Sequence, residues 1–380
     1  MKHLLILVFA ISLASCGLFK SKDNNEPPAE LTDIDNTLNI KTLWDTNLSN
    51  NDELYAKLVP AYQAGILFVA TTEGEVFGFD IETGKRLWKT KTRKPLSGGV
   101  GLGEGRIYVG SRDGDVLALS EQDGQILWEV KVASEVLAPP KASLDKLIVR
   151  TVDGKIYALA TDSGSRLWIY ERDMPLLTLH GTSTPIVRHD VILAGLDNGK
   201  LAILDIATGK LFGEVPIAIP KGRSQLERMV DIDADPILDG NTVFVSSYQG
   251  RTVAIDVTSL RTVWEREVSS HVGMATDIDA LYLTDLKSHL WAFDRYTGSS
   301  LWRQEGLQAR KLTAPISMGD YVIVGDLEGY LHWIRKSDGQ IAARYRIGGK
   351  DHFNVAPIIV ADRLVAYNSD GKLAVLSISD

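Results

Sequence analysis

A unit of about 40 residues recurs along most of this chain, and few folds accommodate such a period. Residues 105–119 read GRIYVGSRDGDVLAL and lead to Asp123-Gly124 and then Leu127-Trp128. The same plan recurs around Gly74, Gly154, Gly199, Gly250, Ser288, Gly329 and Gly371. That makes eight units, with successive turn positions 40, 40, 45, 51, 38, 41 and 42 residues apart. Asp-Gly or Asn-Gly between two short apolar runs is the strongest local signal for a tight hairpin, because its turn needs positive φ. A second turn, such as Thr83-Gly84 or Thr297-Gly298, leads to a third strand carrying Leu-Trp. Many units open on a short segment ending in Pro, as at Pro139, Pro185, Pro236 and Pro315. Four short strands per 40 residues predict an all-β fold, an eight-bladed β-propeller of four-stranded antiparallel blades.

The ends of the repeat array fit a closed ring. The last unit stops at Asp380 one strand short, while Leu43-Trp44 stands alone ahead of the first unit. A strand over roughly 39–47 supplies the missing outer strand of the last blade, which leaves no unpaired ring edge. Trp44, Trp88, Trp128, Trp168, Trp264 and Trp302 share one repeat position. Six symmetric rings cannot serve one ligand, so they are expected to pack blade against blade. Phe212-Gly213 and Ala342-Ala343 replace Leu-Trp in two units, whose blade contacts should be weaker or differently filled.

The N-terminus differs from the repeats. Lys2 and His3 precede the apolar run Leu4 to Leu13, followed by Ala14, Ser15, Cys16 and Gly17. Spanning a bilayer takes about 20 apolar residues, so this shorter run reads as a secretory signal peptide. Leu-Ala-Ser-Cys resembles the bacterial lipobox, in which the cysteine is lipidated and becomes the mature N-terminus. Cys16 is the only cysteine, which removes any internal disulfide or CxxC site. Gly17 rather than Asp after it favours the outer membrane in such lipoproteins. Residues 20–35, polar and containing Pro, are expected to form a flexible tether reaching roughly 50–55 Å when extended. The expected organisation is residues 1–15 signal peptide, 16–37 lipidated N-terminus and tether, and 38–380 propeller.

The net charge of −8 argues against a nucleic-acid partner, which needs a basic face. The glycine-rich run 98–105 matches neither phosphate-binding pattern and reads as the inner strand of a blade. Asp231-Ile-Asp233-Ala-Asp235 has the first spacings of a calcium loop, but Pro236 and Thr242 stand where that loop needs Gly and Glu. The bland alternative is one polar face of a strand. No GxSxG, HExxH or kinase-like set occurs. No catalytic residue, metal or cofactor is therefore assigned.

Two adjacent units are longer than 40 residues, by 5 and by 11. Their extra residues lie at 170–181 and 215–231, each between the outer strand of one blade and the inner strand of the next. Such connections share one face of a propeller, so the two insertions should form one composite surface. Leucines beside Arg and Asp suit a protein-binding patch with an apolar centre and a polar rim.

Three segments give the sequence a resemblance. Residues 174–181 (MPLLTLHG), 228–233 (RMVDID) and 325–333 (GDLEGYLHW) are similar to the MPxLTLRG, RLxDVD and GDxEGYLHW motifs of the BamB family of outer-membrane protein assembly factors. The resemblance spans the lipobox, tether, all eight units and both insertions. It implies a non-enzymatic scaffold at the periplasmic face of the outer membrane, whose partner is the POTRA region of a BamA-like barrel subunit. Carried over position by position, Leu177, Leu179, His180, Arg228, Asp231 and Asp233 become partner-binding candidates. His180 replaces the motif's Arg, and a His is mostly neutral at pH 7, which puts one ion pair in doubt. Unfolded barrel precursors form a second class of expected partner, met by strand addition at blade edges. The rival reading is a periplasmic quinoprotein-like or ligand-binding propeller. The enzymes of that repeat type are much longer and usually carry a vicinal cysteine pair that this chain lacks.

Overall fold

The computed structural model describes residues 26–49, 51, 53 and 55–379. The signal-peptide and Cys16 expectations lie outside the described residues.

Eight antiparallel sheets follow one another along the chain. Within each blade we letter the strands a to d from the axis outward. Blade 2 is typical: a, Leu96–Gly103; b, Arg106–Ser111; c, Asp115–Ser120; d, Ile126–Lys131. Blades 1 and 3 to 7 repeat this order from Ala61 to Arg346. Blade 8 takes a to c from Ile358–Val360, Arg363–Tyr367 and Lys372–Ser379. Its d strand is Asn39–Asn47, paired antiparallel from Asn39 opposite Ser379 to Asn47 opposite Lys372. The propeller and its closing strand are those expected from the repeat.

Strands b and c are packed on both faces by neighbouring blades, so they are continuously apolar rather than alternating. Ile107, Tyr108 and Val109 are all fully buried, as are Val116, Leu117 and Ala118. The core is accordingly distributed over the joints between blades. One cluster joins Tyr108, Val116 and Trp128 of blade 2 to Leu147, Val149 and Tyr157 of blade 3. The glycine-rich run forms strand a of blade 2, as expected. A Cβ on Gly103 would stand 2.6 Å from that of Ala142 in blade 3, so the inner strands approach too closely for a side chain. A two-residue strand, Lys57–Leu58, adds in parallel to its inner edge.

The six repeated tryptophans pack blade on blade. Each indole lies across the c–d turn glycine of the next blade, as Trp44 does on Gly84 and Trp128 on Gly164. These glycines have φ between +67° and +72°, so the turn itself and the overlying ring both exclude a Cβ. Each indole N–H also donates to a carbonyl of the next blade, at Ile81, Glu121, Thr161, Ile206, Arg295 and Lys336, over 2.7–3.2 Å. One residue thus supplies both apolar area and a satisfied polar tip.

The two units without Leu-Trp differ from each other. In blade 7 the ring has changed strands: Trp333 on strand c pairs with Ala343 on strand d, and Trp333 is fully buried against Leu38 and Leu376 of the closing joint. In blade 4 no ring replaces Gly213.

Residues 26–37 depart from the tether expectation. Ala29 N–H donates to Gln308 O, Arg310 to Ala29 O, and Arg344 to Thr32 O. Asn36 and Arg344 bond reciprocally, Thr37 N–H donates to Ala342 O, and Leu31 packs beside Leu307 and Leu312. From Glu26 onward the segment is a strap along blades 6 and 7. Its polar composition could not form a core, but its bonds run to blade carbonyls and two arginines, which need no core of their own.

Candidate protein-docking face

Strand order fixes the two faces of the ring. The a–b and c–d turns lie at one face; the b–c turns and the d-to-a connections lie at the other. Both insertions are d-to-a connections. The first joins Arg166–Tyr170 of blade 3 to Ile186–Arg188 of blade 4, and the second joins Leu211–Pro216 of blade 4 to Ile237–Asp239 of blade 5. They therefore share a face, as expected.

The insertions touch. Gly181 of the first lies against the carboxylate of Asp233 in the second. Asp235 accepts from Thr184 N–H at 2.6 Å and from its hydroxyl at 3.1 Å, and pairs with Lys57 at 2.5 Å. Arg150, from strand b of blade 3, runs fully buried beneath them. It donates to Ser183 Oγ at 2.7 Å and pairs with Asp197 of blade 4 at 3.0 Å. The first insertion is also fixed at its start, where Arg172 pairs with Glu214 and Met174 Sδ packs on Gly154. In the second, the Glu227 carboxylate accepts the amides of Arg223 and Ser224, closing a short 3-10 turn at Leu226–Arg228.

This geometry separates the six candidates. Leu177 and Arg228 are exposed and Leu179 is half-buried. His180 is exposed and already has partners within the chain: its Nε2 lies 2.9 Å from Glu135, and its ring meets that of Tyr55 edge-on at 4.8 Å. Asp231 and Asp233 are buried, 0% and 9% exposed, so they lie beneath the surface that the spacing placed them on. Alternate residues do share a face here, but that face is the interior next to Arg150. Sequence reading missed Leu176, the most exposed large apolar residue of the described chain at 88%, and also Ile219 and Leu226 at 64% and 60%. Their presence in the insertions was the available signal.

The buried acids are electrostatically poised. Both Asp231 oxygens and Asp233 Oδ1 are buried without a hydrogen-bond partner among the described groups. Burial, reinforced by Asp197, pushes the Asp231 carboxyl up to about 7. Burial, reinforced by Asp231, pushes that of Asp233 up to about 7, against the pull of Arg150. Asp235 is committed to Lys57 and Thr184, and no three metal-ligating side chains gather among the described residues.

Comparison with known proteins agrees with this architecture. The family described as "Outer membrane protein assembly factor BamB" matches residues 36–96 and 72–304. The BamB of Pseudomonas aeruginosa is 46% identical over 378 residues, covering 99% of both chains. The chain belongs to the BamB family. The crystal structure of BamB from Moraxella catarrhalis superposes with a TM-score of 0.82 at 28% identity, over 89% of this chain and 99% of that one. The quinohemoprotein alcohol dehydrogenase of Comamonas testosteroni superposes at 0.71 with 14% identity, over 89% and 76%, a likeness of fold alone. BamB proteins are named for the assembly of outer-membrane proteins and not for a reaction, which agrees with a scaffold rather than an enzyme.

Proposed function

We propose that this chain is a non-enzymatic scaffold of the outer-membrane protein assembly machinery, anchored by lipid on Cys16 at the periplasmic face of the outer membrane. Its insertion face docks the POTRA region of a BamA-like subunit. The observation that carries the docking site is the union of the two insertions: blades 3 to 5 hold them together, Leu176 and Leu177 project from the first at 88% and 43% exposure, and Ile219 and Leu226 from the second at 64% and 60%. An apolar centre with Arg228 and Arg172 in the same loops has the composition of an interface core and rim. Asp231, Asp233 and Gly181 act in this reading by shaping the loop, and Leu177 and Leu179 by contact. Fully burying one leucine contributes about 1.5–3 kcal/mol, so a pair suffices as a hot spot.

The test is affinity capture of the lipidated protein from detergent-solubilised membranes. Wild type should recover a POTRA-containing barrel subunit, and Leu176→Glu/Leu177→Glu should lose it while melting like wild type. Recovery of no such subunit, or equal recovery by the variant, would sink the assignment.

A further inference from the structure

Six blade joints are built from a tryptophan, a turn glycine and a carbonyl, and the joint between blades 4 and 5 has lost two of the three. Gly213 takes the tryptophan position, opposite Ile203 on strand c, where other blades pair Ala158 with Trp168 or Ala254 with Trp264. A Cβ on Gly213 would meet nothing within 4 Å. Leu260 takes the turn-glycine position at φ +56°, a left-handed conformation costly for leucine. The third member remains. Val257 follows Asp256 as Ile81 follows Asp80, and among the described residues no group donates to its carbonyl.

The missing ring leaves a cavity of about 350 Å³. Leu193, Leu201, Ile203, Val243 and Ile255 line it, and Phe212 and Leu260 stand at its mouth, 58% and 43% exposed. An apolar cavity of roughly 150 Å³ is enough to bind benzene, so this one admits an indole. Phe212, Gly213 and Val215 belong to strand d, the outer edge of blade 4, so an extended chain lying along that edge brings alternate side chains to the opening. Arg188, His189 and Asp190 of the a–b turn also line the cavity. It therefore opens toward the face opposite the insertions.

We infer that this vacated joint is a receptor for one tryptophan side chain of an extended partner polypeptide. The indole lies against Leu260 and donates its N–H to the Val257 carbonyl, as six internal tryptophans do at the equivalent carbonyls. Strands of outer-membrane barrels carry aromatic girdles at both membrane interfaces. Unfolded barrel precursors are the partner class that fits, and that clause alone rests on the assembly role proposed above. The scaffold then holds the barrel-forming subunit on one face and a precursor strand on the other.

The test is methyl NMR of the Ile, Leu and Val side chains during titration with N-acetyl-tryptophanamide, then with a barrel-strand peptide carrying one tryptophan. Saturable shifts are expected at Ile203, Val243 and Ile255, with weaker ones from N-acetyl-leucinamide. Gly213→Trp/Leu260→Gly rebuilds the common joint and should abolish the shifts. Ile203→Trp fills the space from strand c, the arrangement that Trp333 already uses, and gives a second plugged protein if the first does not fold. Absence of any response, or an equal response in a folded plugged variant, overturns the site. Binding of the amide without competition from the peptide overturns the precursor assignment. Leu176→Glu/Leu177→Glu leaves the cavity intact and should respond as wild type, so failure of the docking face and failure of the cavity read differently.

Discussion

A Cβ placed on Gly181 would stand 2.7 Å from the Asp233 carboxyl carbon, so the two insertions meet with no room for a side chain between them. Gly181→Ala must push the first insertion off the second. Overpacking of this kind costs roughly 1–3 kcal/mol, and 1.4 kcal/mol is about a tenfold change in an equilibrium constant. The variant should keep its propeller and bind the POTRA-containing subunit about tenfold more weakly, measurable by surface plasmon resonance. Wild-type affinity would show that loop position does not matter for docking.

The buried acids give stability a defined pH dependence. Asp231 and Asp233 have folded-state pKa values of about 7, raised from 3.8. Between those values the folded state binds more protons than the unfolded one, so stability falls as pH rises from about 4 to about 7. The groups facing the pair are Asp197, Arg150 and Lys57. Asp277, held at about 2 beside Lys336, acts in the opposite sense and only below pH 4. Asp233→Asn should raise the urea midpoint at pH 8 relative to wild type and leave it nearly unchanged at pH 4. A midpoint for the variant that falls more steeply than wild type across this range would contradict the sign.

Much of this architecture is legible in the sequence, for a physical reason. Turns that need positive φ mark themselves with glycine, as at Gly74 and Gly114, and the tryptophans mark the joints they fill. Connection length betrayed the insertions. Three things were not legible. Alternation put Asp231 and Asp233 on one side of the chain but could not say that Arg150, about 80 residues earlier, makes that side interior. Polarity marked residues 26–35 as unable to form a core, yet Arg310 and Arg344 hold them by backbone bonds. The gap at Gly213 was visible, but only the structure distinguishes an emptied joint from one refilled as at Trp333.

The joints predict a ranking of aromatic truncations. Trp128 is buried and donates to Thr161 O at 2.9 Å. Trp128→Ala removes a large buried ring and should cost about 3–5 kcal/mol. Phe212 occupies the exposed position before Gly213, and Phe212→Ala should cost less than about 1 kcal/mol. Chemical denaturation of the two variants checks the order. Equal losses would mean that the joints do not carry the stability assigned to them.

The most direct test of the scaffold reading compares two equally exposed leucines. Leu177 lies on the insertion face at 43% exposure, and Leu87 on the outer rim of blade 1 at 46%. A photo-crosslinking amino acid is placed at each position in turn, and the protein is irradiated in intact cells. Position 177 should yield an adduct with the POTRA-containing barrel subunit, and position 87 should not. No such adduct at 177, or an adduct of equal yield at 87, would contradict the account.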